Sequence, residues 1–396
     1  MVPSVSPRCR LPIGSSSSSS SSSSRVLQLA KARLQGRRSL LGPADCSGRR
    51  KARHTSLCVS VTPSVNSVES TEKEENGGGR GGEEYNLKEH MAKCIALVDE
   101  CLEEAVPQQY PETIHKAMRH TLLGGGKRIR PALCLAAFEL VHDVTEEERN
   151  DKTLRKSFLL RKCMPTAIAL EMIHTMSLIH DDLPCLDNDD FRRGNPTCHK
   201  VFGEDMAILA GDALLALSFE HIARETRDVP AERVLRVISE VGRSVGSVGL
   251  VGGQVVDIQS ENKKMEKEEG LTTLKYIHEH KTAVLLEAAV VSGAILGGAS
   301  DEQVELLRMY ARDIGLAFQV QDDILDVTMT SEQLGKTAGK DLASQKTTYP
   351  SLLGLEKSKE IADELIGDAL NKLSSFDYEK SLPLLTLAKY IVARKS

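Results

Sequence analysis

The chain has 396 residues, of which 40% are hydrophobic, and contains no uninterrupted apolar run long enough to predict a membrane span. Its nine cysteines lack the spacing of a zinc site or of a disulfide scaffold, which indicates reduced thiols in an intracellular compartment. The formal net charge of −5 is small, but it is unevenly distributed along the chain.

The first 68 residues are strongly basic. They contain eleven Lys or Arg, a single acid (Asp45) and an unbroken serine run from Ser15 to Ser24. This composition is typical of an organelle transit peptide, and the lack of an apolar core argues against a secretory signal. The abundance of serine favours a plastid over a mitochondrion. The alternative is a disordered basic tail that binds nucleic acid, but we expect no nucleic-acid partner.

Residues 69–84 are rich in glycine and acid and include the stretch NGGGRGGEE. Such a segment buries too little apolar surface to fold, so we predict a disordered linker. The catalytic domain is therefore expected to span residues 85–396.

The remainder of the chain has apolar residues at helical spacing and almost no strand signal, which predicts one all-α domain. The predicted helices cover residues 91–106, a segment that begins at Pro111, and residues 131–141, 164–180, 206–224, 234–257, 272–296, 301–326 and 357–373.

Two aspartate-rich clusters each follow an apolar helical run. They consist of Asp181, Asp182 and Asp187, and of Asp322, Asp323 and Asp326. Asp322 and Asp326 are spaced to share one helix face and one ion, whereas Asp323 points about 100° away. Asp181 and Asp187 are separated by Pro184, so the chain must bulge to bring them together.

Carboxylates are costly to bury unless something neutralises them. Mg²⁺ does so, and it prefers one or two carboxylates together with substrate phosphates. Two such clusters predict a helical pocket that holds a diphosphate through magnesium. The alternative is a pair of solvated acidic helix ends.

Basic residues accompany both clusters. Three glycines precede Lys127, Arg128 and Arg130, in a pattern that is not a Walker motif. Lys127 and Arg130 are three residues apart and can hold one anion from a common face. Further cations near the clusters are Arg192, Arg193, Lys281, Lys336 and Lys346. The set predicts two anion sites, one that works through metal and one direct.

The motifs together resemble those of the trans-isoprenyl diphosphate synthases, and most of all those of plant plastid geranylgeranyl diphosphate synthases. They read LLGGGKRIRP, EMIHTMSLIHDDLPCLDNDDFRRG, HKVFGEDMAILAGDALL, GGQVVDIQSE, HKTAVLLEA, FQVQDDILDVT and GKTAGKDLASQKTTYP. The resemblance implies a single-domain all-α prenyltransferase fold with a deep central cavity and three Mg²⁺ ions. It also implies a homodimer, or a heteromer with a small regulatory subunit.

The resemblance implies a role for each matching residue. Both aspartate motifs would hold magnesium on the allylic diphosphate. Isopentenyl diphosphate would be held by Lys127, Arg130, His174 and Arg193. The allylic side would be formed by Arg192, Lys281, Thr282, Gln319, Lys336 and Lys346.

The implied reaction is a head-to-tail condensation of isopentenyl diphosphate with dimethylallyl, geranyl and farnesyl diphosphates, which supplies isoprenoid and carotenoid biosynthesis. The allylic C–O bond ionises, the isopentenyl double bond attacks, and a proton leaves. Three alternatives remain open: a class I terpene cyclase, a non-catalytic or large subunit of a heteromeric geranyl diphosphate synthase, and a synthase of longer chains.

Product length is expected to depend on the helix before Asp181, because one helical turn, about 5.4 Å, is close to the length of an isoprene unit. Family members that stop at fifteen carbons have an aromatic residue four or five positions before the motif. Here those positions are Ser177 and Met176, and Ile173 lies one turn deeper. The small Ser177 leaves room for a longer chain, so we expect a twenty-carbon product.

Overall fold

A computed structural model describes residues 85–143, 145, 150–261, 263, 265–329 and 347–393. All of them belong to the second of two units into which the chain divides, residues 80–396. The predicted transit peptide (1–68), the predicted linker (69–84) and the predicted ligands Lys336 and Lys346 lie outside the described residues.

The described residues form helices almost throughout, as the all-α prediction requires. In chain order the helices are α1 (Leu87–Ala105), α2 (Glu112–Leu122), α3 (Ile129–Val141), α4 (Lys152–Lys162), α5 (Met164–Asp181), α6 (Cys198–Phe202), α7 (Glu204–Glu225), α8 (Ala231–Val245), α9 (Leu250–Ser260), α10 (Lys267–Ile277), α11 (Val284–Gly297), α12 (Asp301–Thr328), α13 (Tyr349–Leu353), α14 (Leu355–Lys372) and α15 (Tyr378–Ala393). A π-helical segment, His278–Ala283, joins α10 to α11, and a 3₁₀ turn, Leu373–Ser375, follows α14. Two short antiparallel strands, β1 (Phe191–Arg192) and β2 (Asn195–Pro196), pair with each other.

Helix α11 lies at the centre of the fold. Nearly all of its residues are buried, as expected of a helix that is apolar on every side. It packs against α3, α5, α8 and α12. Two glycines allow the close approach to α3, since a Cβ on Gly293 would lie 2.0 Å from the Cys134 carbonyl oxygen and one on Gly297 would lie 2.8 Å from that of Phe138.

The prediction of one helix over residues 234–257 is wrong. Helix α8 ends at Val245, and α9 begins only at Leu250. The backbone of Gly249 leaves the helical region (φ −121°, ψ −124°), and a Cβ there would lie 2.1 Å from the Ser244 carbonyl oxygen. Glycine therefore permits a tight break that the apolar periodicity concealed.

Among the described residues, two helices are long and apolar enough to cross a bilayer by length and composition alone: α7 and the helix Lys267–Gly297. In the second, 78% of the apolar window is buried, as in a core helix of a folded domain. In α7 only 39% is buried. Its apolar side chains Ile208 and Leu209 are about half exposed, at 46% and 49%.

Candidate active site

The first aspartate cluster lies where α5 ends and the chain folds back on itself. The Leu183 N–H bonds to the His180 carbonyl oxygen, and the Asp187 N–H bonds to the Asp181 carbonyl oxygen at 2.8 Å. This is the bulge that the six-residue spacing predicted. It returns Asp187 to Asp181, close enough for their charges to interact.

The electrostatics of Asp181 show what surrounds it. The pKa of Asp181 is raised to about 6, mainly by burial and also by the charges of Asp187 and Asp182. The cations Lys281 and Arg192 oppose that shift. Asp181 therefore lies among both acids and bases, in a site where a divalent cation would relieve the repulsion between carboxylates.

The carboxylate of Asp182 pairs with an arginine side chain. The Asp182 side chain is 1% exposed. Its Oδ2 accepts a hydrogen bond from Arg192 Nε at 2.9 Å, and its Oδ1 accepts from Nε at 2.8 Å and from Nη2 at 2.5 Å. A bidentate arginine–carboxylate pair of this kind fixes orientation as well as charge. In this structure Asp182 therefore anchors Arg192, which was predicted to contact the allylic substrate. A metal-binding role for Asp182 stays a prediction.

The second cluster occupies the C-terminal part of α12. Asp323 is buried; one oxygen accepts the Tyr349 backbone N–H at 3.0 Å, and the other lies 3.9 Å from His278 Nε2. Asp322 is half-buried. Asp326 is buried, and its Oδ2 has no hydrogen-bond partner among the described residues. Asp323 thus ties α12 to the start of α13.

Lys281 lies in the π-helical segment, which packs against α12. Its Nζ is 2.6 Å from Asp257 Oδ2, and its charge acts on Asp181. Two glycines hold the segment close to its neighbours: a Cβ on Gly253 would lie 2.3 Å from the Lys281 N, and one on Gly315 would lie 2.5 Å from Ala283 Cβ. Single π-helical turns of this kind are frequent at functional sites.

Thr282 and Gln319 complete the predicted allylic side. Thr282 follows Lys281 in the π-helical segment, and Gln319 lies on α12, one residue before the buried Val320. Both are half-buried, and the segment that carries Thr282 packs directly against α12. Both side chains therefore lie in the part of the fold where the π-helical segment meets α12.

Three of the four residues predicted to bind the second diphosphate lie close enough for their charges to interact. His174 on α5 experiences the charges of Arg130 and Arg193, which after burial lower its pKa well below the usual range. The imidazole is therefore neutral at neutral pH. Arg193 donates a hydrogen bond to the Gly125 carbonyl oxygen. Gly126 leaves room for that guanidinium, because a Cβ there would lie 2.5 Å from Arg193 Nη1.

Arg130 is a cation with one side-chain donor left unpaired among the described residues. Burial lowers the pKa of Arg130 to about 10, so the guanidinium remains charged at neutral pH. Its Nε has no hydrogen-bond partner within the described part of the chain. Lys127, one position before Arg128, is exposed. A diphosphate at this place would satisfy the unpaired donor.

Two buried charged residues were not singled out by the sequence. Arg128 is 2% exposed and pairs with Glu171, also 2% exposed, at 2.7 Å. The sequence feature that could have revealed this pair is Glu171, the single acid within the apolar run MPTAIALEMI. A buried glutamate almost always has a cationic partner.

The three residues expected to set product length lie along α5. Ile173 and Met176 are buried, whereas Ser177 is half-buried and donates its hydroxyl to the His174 carbonyl oxygen at 2.9 Å. Ser177 lies about 40° from Asp181 around the helix axis, and Ile173 about 80° on the same side.

The donor set fits magnesium better than a metal that needs an all-protein cage. No three His, Cys, Asp or Glu side chains of the described residues converge on one point. Mg²⁺ does not need such a group, because it binds through one or two carboxylates and completes its shell with phosphates and water. Asp181, Asp187 and the unpaired oxygen of Asp326 supply carboxylates of this type.

Comparison with known proteins points to one family. Residues 111–380 match the family model described as "Polyprenyl synthetase". The chain is 57% identical over 312 residues to geranylgeranyl pyrophosphate synthase 7, chloroplastic, of Arabidopsis thaliana, covering 79% of this chain and 85% of the relative. It is 52% identical over 340 residues to the chloroplastic heterodimeric geranylgeranyl pyrophosphate synthase large subunit 1 of the same plant, covering 85% and 87%.

A solved structure of a prenyl synthase also resembles this chain. Geranylgeranyl pyrophosphate synthetase from Pyrococcus horikoshii superposes with a TM-score of 0.66 at 30% identity, covering 78% of this chain and 98% of that one. The matched region includes both aspartate clusters and the glycine–cation loop. The chain therefore belongs to the polyprenyl synthetase family.

Proposed function

We propose that the protein is a magnesium-dependent geranylgeranyl diphosphate synthase. The observation that supports this most directly is the separation of two groups of side chains: the aspartates, which are suited to metal, and Lys127, Arg130, His174 and Arg193, which are suited to a diphosphate without metal. A condensing enzyme needs both, because it binds two diphosphates. A class I cyclase binds one and has no use for the second group. The relatives' names support the prenyl-transfer chemistry.

The aspartates are proposed to hold the metal. Asp181, Asp187, Asp322 and Asp326 would be its ligands, with Asp182 and Asp323 completing the motifs. When bound, magnesium supplies positive charge that stabilises the leaving diphosphate. Arg192 and Lys281 add to that charge from fixed positions. Asp182 and Asp257 orient these two cations through the contacts described above.

The remaining residues act on the second substrate and on the cation. Arg130 and Arg193 bind the diphosphate of isopentenyl diphosphate, and the neutral His174 donates a hydrogen bond to it. Thr282 and Gln319 place oxygen dipoles beside the allylic cation. The apolar wall of α5 excludes water, which would otherwise trap the cation. The proton lost at the end is accepted by the released diphosphate, so no protein nucleophile is required.

Removing one carboxylate from either cluster should abolish most activity. Asp181→Ala and Asp322→Ala are each expected to lower turnover by at least ~10²-fold, the usual loss when a major electrostatic contribution is removed. Asp190→Ala is the matched control, since Asp190 lies in the same loop but pairs with Lys200 at 2.7 Å. Near-normal turnover in either folded cluster variant would contradict the roles assigned to the aspartates.

Product length tests the choice of synthase. Residues 85–396, incubated with magnesium, labelled isopentenyl diphosphate and each allylic primer, should give a twenty-carbon diphosphate. Ser177→Phe should shift the main product to fifteen carbons, because the ring would fill the first turn beside Asp181. Ser177→Ala is the control and should keep the twenty-carbon product.

Other outcomes of that assay favour the alternatives. A cyclic hydrocarbon from geranylgeranyl diphosphate alone would indicate a cyclase, and no turnover would indicate a non-catalytic subunit. A longer chain would indicate a different synthase. An unchanged product in Ser177→Phe would refute the helix-based account of length.

We infer that the protein is a homodimer in which α7 contributes to the interface. This helix is long and apolar but only 39% of its apolar window is buried within one copy. Ile208 and Leu209 form an adjacent exposed pair on it. Exposed apolar surface of this kind marks protein contact sites.

A double substitution of the α7 pair tests this inference. Ile208→Asp/Leu209→Asp should convert a dimer to a monomer by light scattering, whereas Tyr378→Asp, at a position 67% exposed on α15, should not. A wild-type chain that is monomeric alone would contradict the homodimer. It would favour obligate pairing with a smaller subunit, in line with the heterodimeric relative.

The basic serine-rich segment is proposed to direct the protein to plastids, which the chloroplastic designation of the relatives supports. Residues 1–80 fused to a fluorescent protein should accumulate in chloroplasts. Deletion of those residues should leave catalysis unchanged. A fusion that remains cytosolic, or enters mitochondria, would refute the assignment.

A further inference from the structure

Arg128 closes the glycine loop that carries Lys127 and leads into α3, whose second residue is Arg130. Its Nη2 donates to the Leu122 carbonyl oxygen at 2.9 Å, which joins the end of α2 to the residue just before α3. Arg128 adopts the left-handed conformation (φ 48°), which turns the chain between Lys127 and the helix. The side chain thus fixes both ends of a six-residue loop.

The same guanidinium also ties the loop to two other helices. Its Nε donates to Asp99 on α1 at 2.8 Å, and its Nη1 donates to Glu171 on α5 at 2.7 Å. Glu171 lies three residues before His174, so the two side chains are neighbours on α5. Arg128 therefore sets the distance between the loop and the helix that carries His174.

Glu171 has a second effect, on charge. Its carboxylate favours the ionised forms of Arg130 and Arg193, which burial and the neighbouring cations disfavour. One buried acid therefore offsets part of the repulsion among three guanidiniums, those of Arg128, Arg130 and Arg193. Without it, that repulsion would be stronger before the substrate arrives.

We propose that Arg128 and Glu171 are positioning residues that align Lys127 and Arg130 for the diphosphate of the non-allylic substrate. Neither needs to touch substrate, because both are buried and engaged with each other. A buried ion pair is weak evidence for net stability, so its value here is the geometry that it imposes. The inference rests on the proposed assignment of Lys127, Arg130, His174 and Arg193 to isopentenyl diphosphate.

The test is a comparison of the two substrates in the full chain. In Glu171→Gln and Arg128→Lys, the KM for isopentenyl diphosphate should rise by ~10-fold or more, since small misplacements at a site can cost up to about 10²-fold. The KM for farnesyl diphosphate should stay within about twofold. Calorimetric titration of isopentenyl diphosphate should show the same loss of affinity without turnover.

Two further variants make the result specific. Glu287→Gln breaks a comparable buried pair, with Arg308 at 2.6 Å, among residues that were not assigned to either diphosphate. It should lower the melting temperature without changing the KM for isopentenyl diphosphate. The double variant Arg128→Lys/Glu171→Gln should show less than the product of the two single effects, because either change already disturbs the pair.

Each failure has a distinct meaning. If Lys127→Ala leaves the KM for isopentenyl diphosphate unchanged, the assignment of that site is wrong. If Lys127→Ala raises it but Glu171→Gln and Arg128→Lys do not, the positioning role is wrong. If the two variants raise both KM values equally, or behave as Glu287→Gln does, the pair is merely structural.

Discussion

The main physical constraint on this fold is the burial of many charges in one helical domain. A buried charge is tolerated only when it is paired or when a ligand neutralises it. Most of the buried charges meet this requirement internally: Asp182 binds Arg192, Glu171 binds Arg128, and Lys281 binds Asp257. Among the eleven buried side-chain polar atoms that have no hydrogen-bond partner in the described part of the chain are Arg130 Nε and Asp326 Oδ2. These two atoms belong to the two groups that are proposed to receive diphosphates.

The ion pairs within the protein and the unpaired atoms of Arg130 and Asp326 have different roles at the site. Each ion pair fixes a charged side chain near one of these unpaired atoms, so the electrostatic field of the site is in place before substrate binds. Such preorganisation is effective because no reorganisation is needed during the reaction. Glycines allow this close packing. Gly126 leaves room for the Arg193 side chain, and Gly253 and Gly315 leave room for the π-helical segment that contains Lys281. The catalytic geometry therefore depends on positions that have no chemistry of their own.

Much of this could be predicted from sequence. Helical periodicity gave the fold class, and the spacing around Pro184 correctly required a bulge between Asp181 and Asp187. The break at Gly249 was missed because apolar residues keep their helical period on both sides of it. The partner of Glu171 was also missed, since Arg128 lies 43 residues away and no local pattern joins them. Asp323 shows the same limit: helix geometry separated it from Asp322, but only tertiary structure revealed Tyr349 as its partner.

The central claim is that two diphosphates bind at two chemically different groups of side chains. The most direct test is a crystal structure with Mn²⁺ in place of magnesium, a non-ionisable thio analogue of farnesyl diphosphate, and isopentenyl diphosphate. Anomalous scattering should locate manganese between Asp181, Asp187 and the Asp322 cluster on the allylic diphosphate. The second diphosphate should contact Arg130 and Arg193 without metal. Metal bound elsewhere, or both diphosphates held at a single group, would contradict the account.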